Sequence, residues 1–156
     1  MDGFGQAARN LYEADEHAWM LTQLDALKQG RLGDLDVENL CEYLHDMTIR
    51  DRRALRSRLA QLWLHILKFQ GQPELASRSW RVSIVKQQIG LREALEDTPS
   101  LGRYLPDIEP AAYANARRLA SAETGIPEST FPAEPPMTLQ QALVWMPPEQ
   151  DATGRA

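Results

Sequence analysis

The sequence contains one cysteine, Cys41, among its 156 residues, so an internal disulfide bond is excluded. Cys41 stands on what we interpret as the apolar face of a helix, which predicts a buried, unreactive thiol. The adjacent residues Leu40 and Glu42 include no basic group that would favour a reactive thiolate. A catalytic cysteine is therefore not expected.

The sequence also lacks any long apolar run. Its longest uncharged stretches are much shorter than the roughly 20 residues of a membrane-spanning helix. The first 19 residues, MDGFGQAARNLYEADEHAW, contain no basic start followed by an apolar core, so a signal peptide is not expected. These absences predict a cytoplasmic protein with no membrane partner.

The charged residues are distributed unevenly, although the net charge is only −5. Residues 1–46 contain ten acidic and three basic residues, whereas residues 50–92 contain two acidic and ten basic ones. Residues 93–156 are again acidic, with ten acidic and four basic residues. Either the acidic segments neutralise the basic one by packing against it, or the basic segment faces an acidic partner.

Apolar residues recur at helical spacing along most of the chain, and no alternating strand pattern is visible. The sequence therefore predicts an all-α, single-domain bundle of about five helices. We expect residues 1–146 to form this domain and residues 147–156 to form a flexible tail. The predicted helices are 6–29, ending at Gly30, then 37–70, 73–97, 108–124 and a short one from Thr138.

The segment 37–70 can be interpreted in two ways. Its apolar seam comprises Val37, Leu40, Cys41, Leu44 and Met47, lapses near Thr48, and resumes as Leu55, Leu59, Leu62, Ile66 and Phe69. This pattern fits either one long helix or two helices with a kink near residue 48. A single helix would be about 50 Å long at 1.5 Å per residue, long enough to project from a small bundle or to form a dimer arm.

Near the C-terminus, the sequence IPESTFPAEPP at 126–136 cannot form a helix interior because proline lacks a backbone donor. We expect an ordered strap, anchored by Ile126 and Phe131. Thr138 and Gln141 have the spacing of a capping box for the last short helix.

Four segments resemble the DUF29 family: LYEADEHAWMLTQLDALKQGRLGDLDVENL, RDRRALRSRLAQLWLHILKFQGQP, SRSWRVSIVKQQ and ETGIPESTFPAEPPMTLQQAL. Their order and spacing agree over about residues 10–146, and LHILKFQ and SRSW are the most specific phrases. DUF29 is a bacterial family of unknown function. The resemblance implies an all-helical fold and a bacterial source, and it implies no activity.

His65 is the most conspicuous candidate for chemistry because it stands in a strongly apolar helical segment. It is either a core histidine hydrogen-bonded to a carboxylate such as Asp15 or Glu13, or a pocket histidine that acts as a base or ligand. Trp80 lies between Arg78 and Arg81, which either bind an anionic group or pair with the acidic first helix. The candidate pocket comprises Asp15, Trp19, His65, Lys68, Arg78 and Trp80.

A second candidate is the basic run RDRRALRSR, which offers a surface for an anionic partner. Five arginines form it: Arg50, Arg52, Arg53, Arg56 and Arg58. On a helix they surround most of the circumference, which is also typical of a solvated, salt-bridged segment. The pI near 5.2 argues against broad nucleic-acid binding.

No nucleophile motif or phosphate-binding glycine loop is present, so we assign no catalytic residue. Glu42 and His45 have the Glu-x-x-His spacing, but a single such pair does not make a di-iron site, and we predict no metal or cofactor. The leading hypothesis is a non-catalytic module that binds a protein, either itself or another. The alternatives are a small nucleic-acid-associated factor and an enzyme or metal protein centred on His65.

Overall fold

The computed structural model describes residues 3–148, which contain six α-helices and no β-strand. The all-α prediction is therefore confirmed for this part of the chain. The helices are α1 (Gly3–Ala14), α2 (Glu16–Lys28), α3 (Val37–Gly71), α4 (Arg78–Asp97), α5 (Leu105–Thr124) and α6 (Leu139–Ala142). None of them is both long and apolar enough to span a lipid bilayer.

The chain divides into two compact units, an N-terminal unit of residues 1–50 and a C-terminal unit of residues 51–156. Helix α3 contributes its first part to the former and its remainder to the latter. Of the predicted flexible tail, only Pro147 and Pro148 are described, and Pro147 is buried. Residues 149–156 lie outside the described residues.

The single first helix that the sequence predicts is in fact two helices, separated at Asp15. Asp15 is the N-cap of α2, and its Oδ1 accepts a hydrogen bond from the backbone N of Ala18 at 3.0 Å. An aspartate side chain competes for backbone donors in this way, which is why it interrupts a helix as readily as it begins one. The spacing of the apolar residues does not predict this interruption.

The interior of the N-terminal unit is small and partly polar. Its buried residues in the described part are Trp19, Gln23, Ala26 and Asp36. The indole Nε1 of Trp19 donates to Oδ2 of Asp36 at 3.2 Å, and the backbone N of Asp36 donates to Oε1 of Gln23 at 2.8 Å. Asp36 also accepts a hydrogen bond from the backbone N of Asn39, as expected for a residue that caps α3. Hydrogen bonds thus supplement a modest apolar core.

Several apolar residues that follow helical spacing are exposed. On α2, Leu21, Leu24 and Leu27 are 53%, 46% and 50% exposed. The first part of α3 is similar, since Val37, Leu44, Met47 and Cys41 are all exposed. The prediction of a buried thiol at Cys41 is therefore wrong. Helix α2 buries Trp19, Gln23 and Ala26 instead, and residues 37–50 of α3 include no buried residue.

Helix α3 is one continuous helix of 35 residues, which decides between the two interpretations of segment 37–70. All five apolar residues of its second seam, from Leu55 to Phe69, are buried as predicted. They form the central part of the C-terminal core, where Trp63 packs edge-to-face on Tyr113 with ring centroids 5.6 Å apart. Burial of one continuous seam is the main reason that this segment is ordered.

Helix α4 begins at Arg78, five residues later than predicted, because Ser77 is its N-cap. Residues Pro73–Leu75 form a separate 3-10 turn. Ile84 and Leu91 are buried, whereas Val82 and Ile89 are about half exposed.

The last two helices complete the C-terminal core. Helix α5 presents Ala112, Ala116 and Ala120, spaced four residues apart, and their small side chains are fully buried. The predicted capping box of α6 is present, since Thr138 and Gln141 exchange side-chain-to-backbone hydrogen bonds. Gln88 of α4 holds the segment after α6, with Nε2 donating to the carbonyls of Ala142 and Trp145.

Candidate functional site

The residues of the predicted pocket belong to different units of the structure. Asp15 and Trp19 are part of the N-terminal unit, where Asp15 caps α2 and Trp19 bonds to Asp36. His65, Lys68, Arg78 and Trp80 belong to the C-terminal unit. Of these four, the structure brings Lys68 and Trp80 into direct contact.

Lys68 is the centre of this contact. It is only 8% exposed, and its Nζ lies 4.3 Å from the centroid of the Trp80 ring. The same ammonium forms an ion pair with Glu123 of α5 at 2.6 Å. Trp80 in turn packs edge-to-face on Phe69, with centroids 5.6 Å apart. The aromatic face and the carboxylate together compensate the loss of water around the buried charge.

His65 lies one helical turn before Lys68 and is partly buried. Burial lowers its pKa below the ordinary value, and the charge of Lys68 lowers it further, while Glu123 acts in the opposite direction. Its Nδ1 is buried and has no hydrogen-bond partner among the described residues, so the predicted carboxylate bond is absent at this atom. The lowered pKa favours the neutral form of His65, which lies near the ion pair of Lys68 and Glu123.

The two arginines beside Trp80 are not equivalent. Arg78 is exposed at the start of α4, whereas Arg81 is partly buried and its Nη2 donates to the carbonyl of Pro148 at 3.2 Å. Arg81 thus holds the C-terminal segment, which is a structural role.

The five arginines of the basic run do not form one surface. The guanidinium of Arg52 lies 4.8 Å from the ring centroid of Tyr104, and that of Arg58 covers the backbone of Gly90 on α4. Arg50 reaches Met47 on its own helix. Arg53 and Arg56 are exposed. Because successive arginines point to different sides of α3, the run does not present a continuous basic face.

A cleft between α3 and α5 is lined by one arginine of this run and by a basic residue of α5. It has a volume of about 430 Å³ and is lined by Arg56, Ser57, Ala60, Gln61, Asn115, Arg118 and Leu119. Arg118 and Asn115 are not predictable from the sequence as partners of Arg56, because they come from α5, about 60 positions further along the chain. A pattern within one segment does not predict which distant segment will pack beside it. We refer to this feature as the α3–α5 cleft.

The N-terminal unit has a larger and more apolar concavity, here called the α2 groove. Its volume is about 490 Å³, and its lining includes Ala7, Leu11, Leu21 and Ala26. Its polar lining residues include Arg31, whose guanidinium pairs with Asp25 at 2.8 Å and with Asp34. The exposed Leu21 lines this groove, and Leu24 and Leu27 are the next exposed leucines of α2.

Among residues 3–148, no group of three or more His, Cys, Asp or Glu side chains is placed to hold a metal ion. The pair Glu42 and His45 lies on the exposed part of α3.

The helices and these features define a small all-α protein with an apolar groove, a basic cleft and a buried lysine paired with an exposed glutamate. A family model described as a domain of unknown function, DUF29, matches residues 11–146, and the chain belongs to this family. No curated protein and no solved structure matches the chain.

Proposed function

We propose that this protein is a non-catalytic binding module whose N-terminal unit binds another protein. The observation that carries the proposal is the row of half-exposed leucines Leu21, Leu24 and Leu27 on α2, of which Leu21 lines the α2 groove. Exposed apolar side chains that lie together are typical of protein-binding surfaces, whereas isolated ones are ordinary. The spacing of three residues places these leucines along one side of the helix.

The charge of the same region indicates the chemistry of the partner. Residues 1–46 carry a net charge of −7, and the groove is lined by Asp25 and Asp34 together with their ion-pair partner Arg31. An amphipathic helix with apolar and basic residues would complement both properties, since helix-in-groove binding uses an apolar stripe and charges select the partner. Residues 50–92 of a second copy also carry a net charge of +8, so self-association is one form of this proposal.

The test compares two triple variants by affinity purification from native lysate, with and without nuclease, followed by mass spectrometry. In the first variant, Leu21, Leu24 and Leu27 are replaced by serine. In the control, the exposed residues Leu75, Val82 and Ile89 of the C-terminal unit are replaced by serine. Exposed substitutions of this kind change stability by about 0.5 kcal/mol each, so both variants should fold.

We expect a stoichiometric protein partner to bind the wild type and the control, to survive nuclease, and to be lost from the α2 variant. Light scattering on the purified chain detects the case in which that partner is a second copy. A strictly monomeric wild type without any partner would refute the proposal, as would a partner that the α2 variant retains.

The nucleic-acid hypothesis remains a prediction of the sequence. It requires Arg52, Arg53 and Arg56 to contact phosphates and predicts strongly salt-dependent binding. The contacts of Arg52 and Arg58 within the C-terminal unit favour the protein-binding proposal instead. Partners that disappear on nuclease treatment would reverse this preference. We expect the binding to take place in the cytoplasm of a bacterium.

A further inference from the structure

We propose that the α3–α5 cleft binds a small phosphorylated molecule through Arg56 and Arg118. The two arginines come from different helices and line one concavity of about 430 Å³. This volume is within the range of small-molecule sites, which is roughly 300–1,000 Å³. The site is independent of the α2 groove because it lies wholly in the C-terminal unit.

The electrostatics of the cleft favour an anion. Its lining contains two guanidinium groups and no carboxylate. Side chains three or four positions away on a helix are the ones that would neutralise a surface arginine. For Arg56 these are residues 52, 53, 59 and 60, and for Arg118 they are residues 114, 115, 121 and 122, none of which is acidic. Both positive charges are therefore available to a ligand.

The remaining polar residues add hydrogen-bond donors of the kind that a phosphoryl group requires. Ser57 supplies a hydroxyl group, and Gln61 and Asn115 supply side-chain amides. Guanidinium groups bind phosphate oxygens in pairs of parallel hydrogen bonds, which explains why arginine is common at phosphate sites. Ala60 and Leu119 provide apolar surface for the rest of a small molecule.

A small molecule fits these observations better than a nucleic acid does. The cleft is a local concavity, whereas a nucleic acid requires positive charge along an extended path. Arg52 and Arg58, which would extend the path along α3, contact Tyr104 and Gly90 instead. The acidic pI of about 5.2 also disfavours a long polyanion.

Isothermal titration calorimetry at constant ionic strength tests the site with inorganic phosphate, pyrophosphate, a nucleoside monophosphate and a short single-stranded DNA. The double variant R56Q/R118Q removes both positive charges of the cleft. The control R53Q/R78Q removes two exposed arginines that lie outside the cleft and gives the same net charge. Circular dichroism verifies that both variants fold.

We expect at least one of the three small phosphates to bind the wild type and the control equally, and to bind R56Q/R118Q at least about tenfold more weakly. Equal binding of inorganic phosphate and the nucleoside monophosphate would assign recognition to the phosphoryl group alone. Tighter binding of the monophosphate would show that the apolar lining contributes. Both results support the site.

Three results would overturn the proposal: no binding of any small phosphate, an equal loss in the control, or binding of the DNA alone. Nuclear magnetic resonance gives a second readout. The side-chain amide signals of Gln61 and Asn115 should shift on addition of the bound phosphate, and unchanged signals would place that phosphate elsewhere.

Discussion

At the scale of single residues, the two members of the Lys68–Glu123 pair have different environments. The Lys68 side chain is 10% exposed, whereas that of Glu123 is 45% exposed. Removing the glutamate leaves a buried ammonium without its carboxylate, while removing the ammonium leaves a carboxylate that water can solvate. The two substitutions should therefore differ in effect.

We predict that Glu123→Ala lowers the free energy of unfolding by about 1–2 kcal/mol. Lys68→Met preserves the contact with Trp80 and should change the free energy of unfolding by less than about 1 kcal/mol. Urea denaturation followed by circular dichroism measures both values. Glu93→Ala, an exposed substitution on α4, is the control for helix propensity. A larger loss for Lys68→Met than for Glu123→Ala would contradict this account.

His65 makes stability depend on pH in a defined direction. Its pKa is lowered in the folded state, by burial first and by Lys68 second, against the opposing effect of Glu123. The unfolded chain therefore binds more protons when the pH is below about 6.5, the ordinary value for histidine. The contribution of His65 to the free energy of unfolding is fully present above that pH. It is lost as the pH falls through the folded-state pKa.

We predict that His65→Asn reduces the loss of stability between pH 7 and pH 5. Denaturant midpoints of the wild type and the variant at both pH values measure the effect. Since Lys68 and Glu123 remain in both proteins, the difference between the two slopes isolates the imidazole. Identical slopes would show that His65 titrates similarly in the folded and unfolded states.

Individual residues were predictable from the sequence where the local spacing of apolar residues was regular. The buried seam from Leu55 to Phe69 was predictable because its spacing of four and three residues repeats without interruption. Lys68 was named as a candidate, but its carboxylate partner Glu123 was not, since the two are 55 positions apart. Arg118 was missed for the same reason.

At the scale of helices, the end of α5 depends on the backbone of Gly125. Its φ is +74°, in the left-handed region that other residues adopt at a cost, and its backbone N–H bonds to the carbonyl of Ser121. Gly30 ends α2 with a similar φ of +69°. The sequence predicts the helix end at Gly30 and a helix that stops at residue 124, directly before Gly125.

We predict that Gly125→Ala destabilises the protein by about 1 kcal/mol, as expected for a residue forced into this conformation. Gly102 has no positive φ and open space around its Cα, so Gly102→Ala should be neutral or slightly stabilising. Thermal unfolding of both variants checks the difference. A neutral Gly125→Ala would show that the helix end relaxes without strain.

Helix boundaries were less predictable than helices. The interruption at Asp15 and the late start of α4 at Arg78 both depend on one capping side chain, Asp15 or Ser77. A polar residue of this kind is equally compatible with an exposed position inside a helix, so periodicity alone cannot distinguish the two. For a similar reason, the sequence does not decide whether α3 is continuous. Its apolar seam is interrupted near residue 48, whereas the helix continues.

At the scale of the whole molecule, the two units differ in how their interiors are stabilised. The described part of the N-terminal unit buries Trp19 and Ala26 together with the polar residues Gln23 and Asp36. The buried apolar cluster of the C-terminal unit extends from Leu55 to Ala142. Hydrophobic stabilisation grows with buried apolar area, so it is smaller in the N-terminal unit.

We predict that backbone amides of α2 exchange with solvent faster than those of α3 residues 59–69. Native-state hydrogen exchange measured by mass spectrometry compares the two peptides directly. Local opening requires less free energy where few apolar contacts are lost. Equal protection of both peptides would mean that the two units open as a single cooperative structure.

Fold class was predictable at this scale because nearly every segment has helical periodicity, and the segregated charge was visible without a structure. The division into two units was not, because α3 passes through the boundary without any glycine or proline between residues 37 and 70. The charge changes from acidic to basic near this boundary, but a change of charge does not by itself end a helix.

The exposure of Cys41 makes the proposed binding unit open to chemical footprinting. It is the single thiol of the chain and lies on the outward side of α3, on the same helical face as Val37 and Leu44. An alkylating reagent would therefore modify one position without any engineered cysteine. The rate of that reaction, followed by intact mass, would slow when a bound partner covers this face and stay unchanged when it does not.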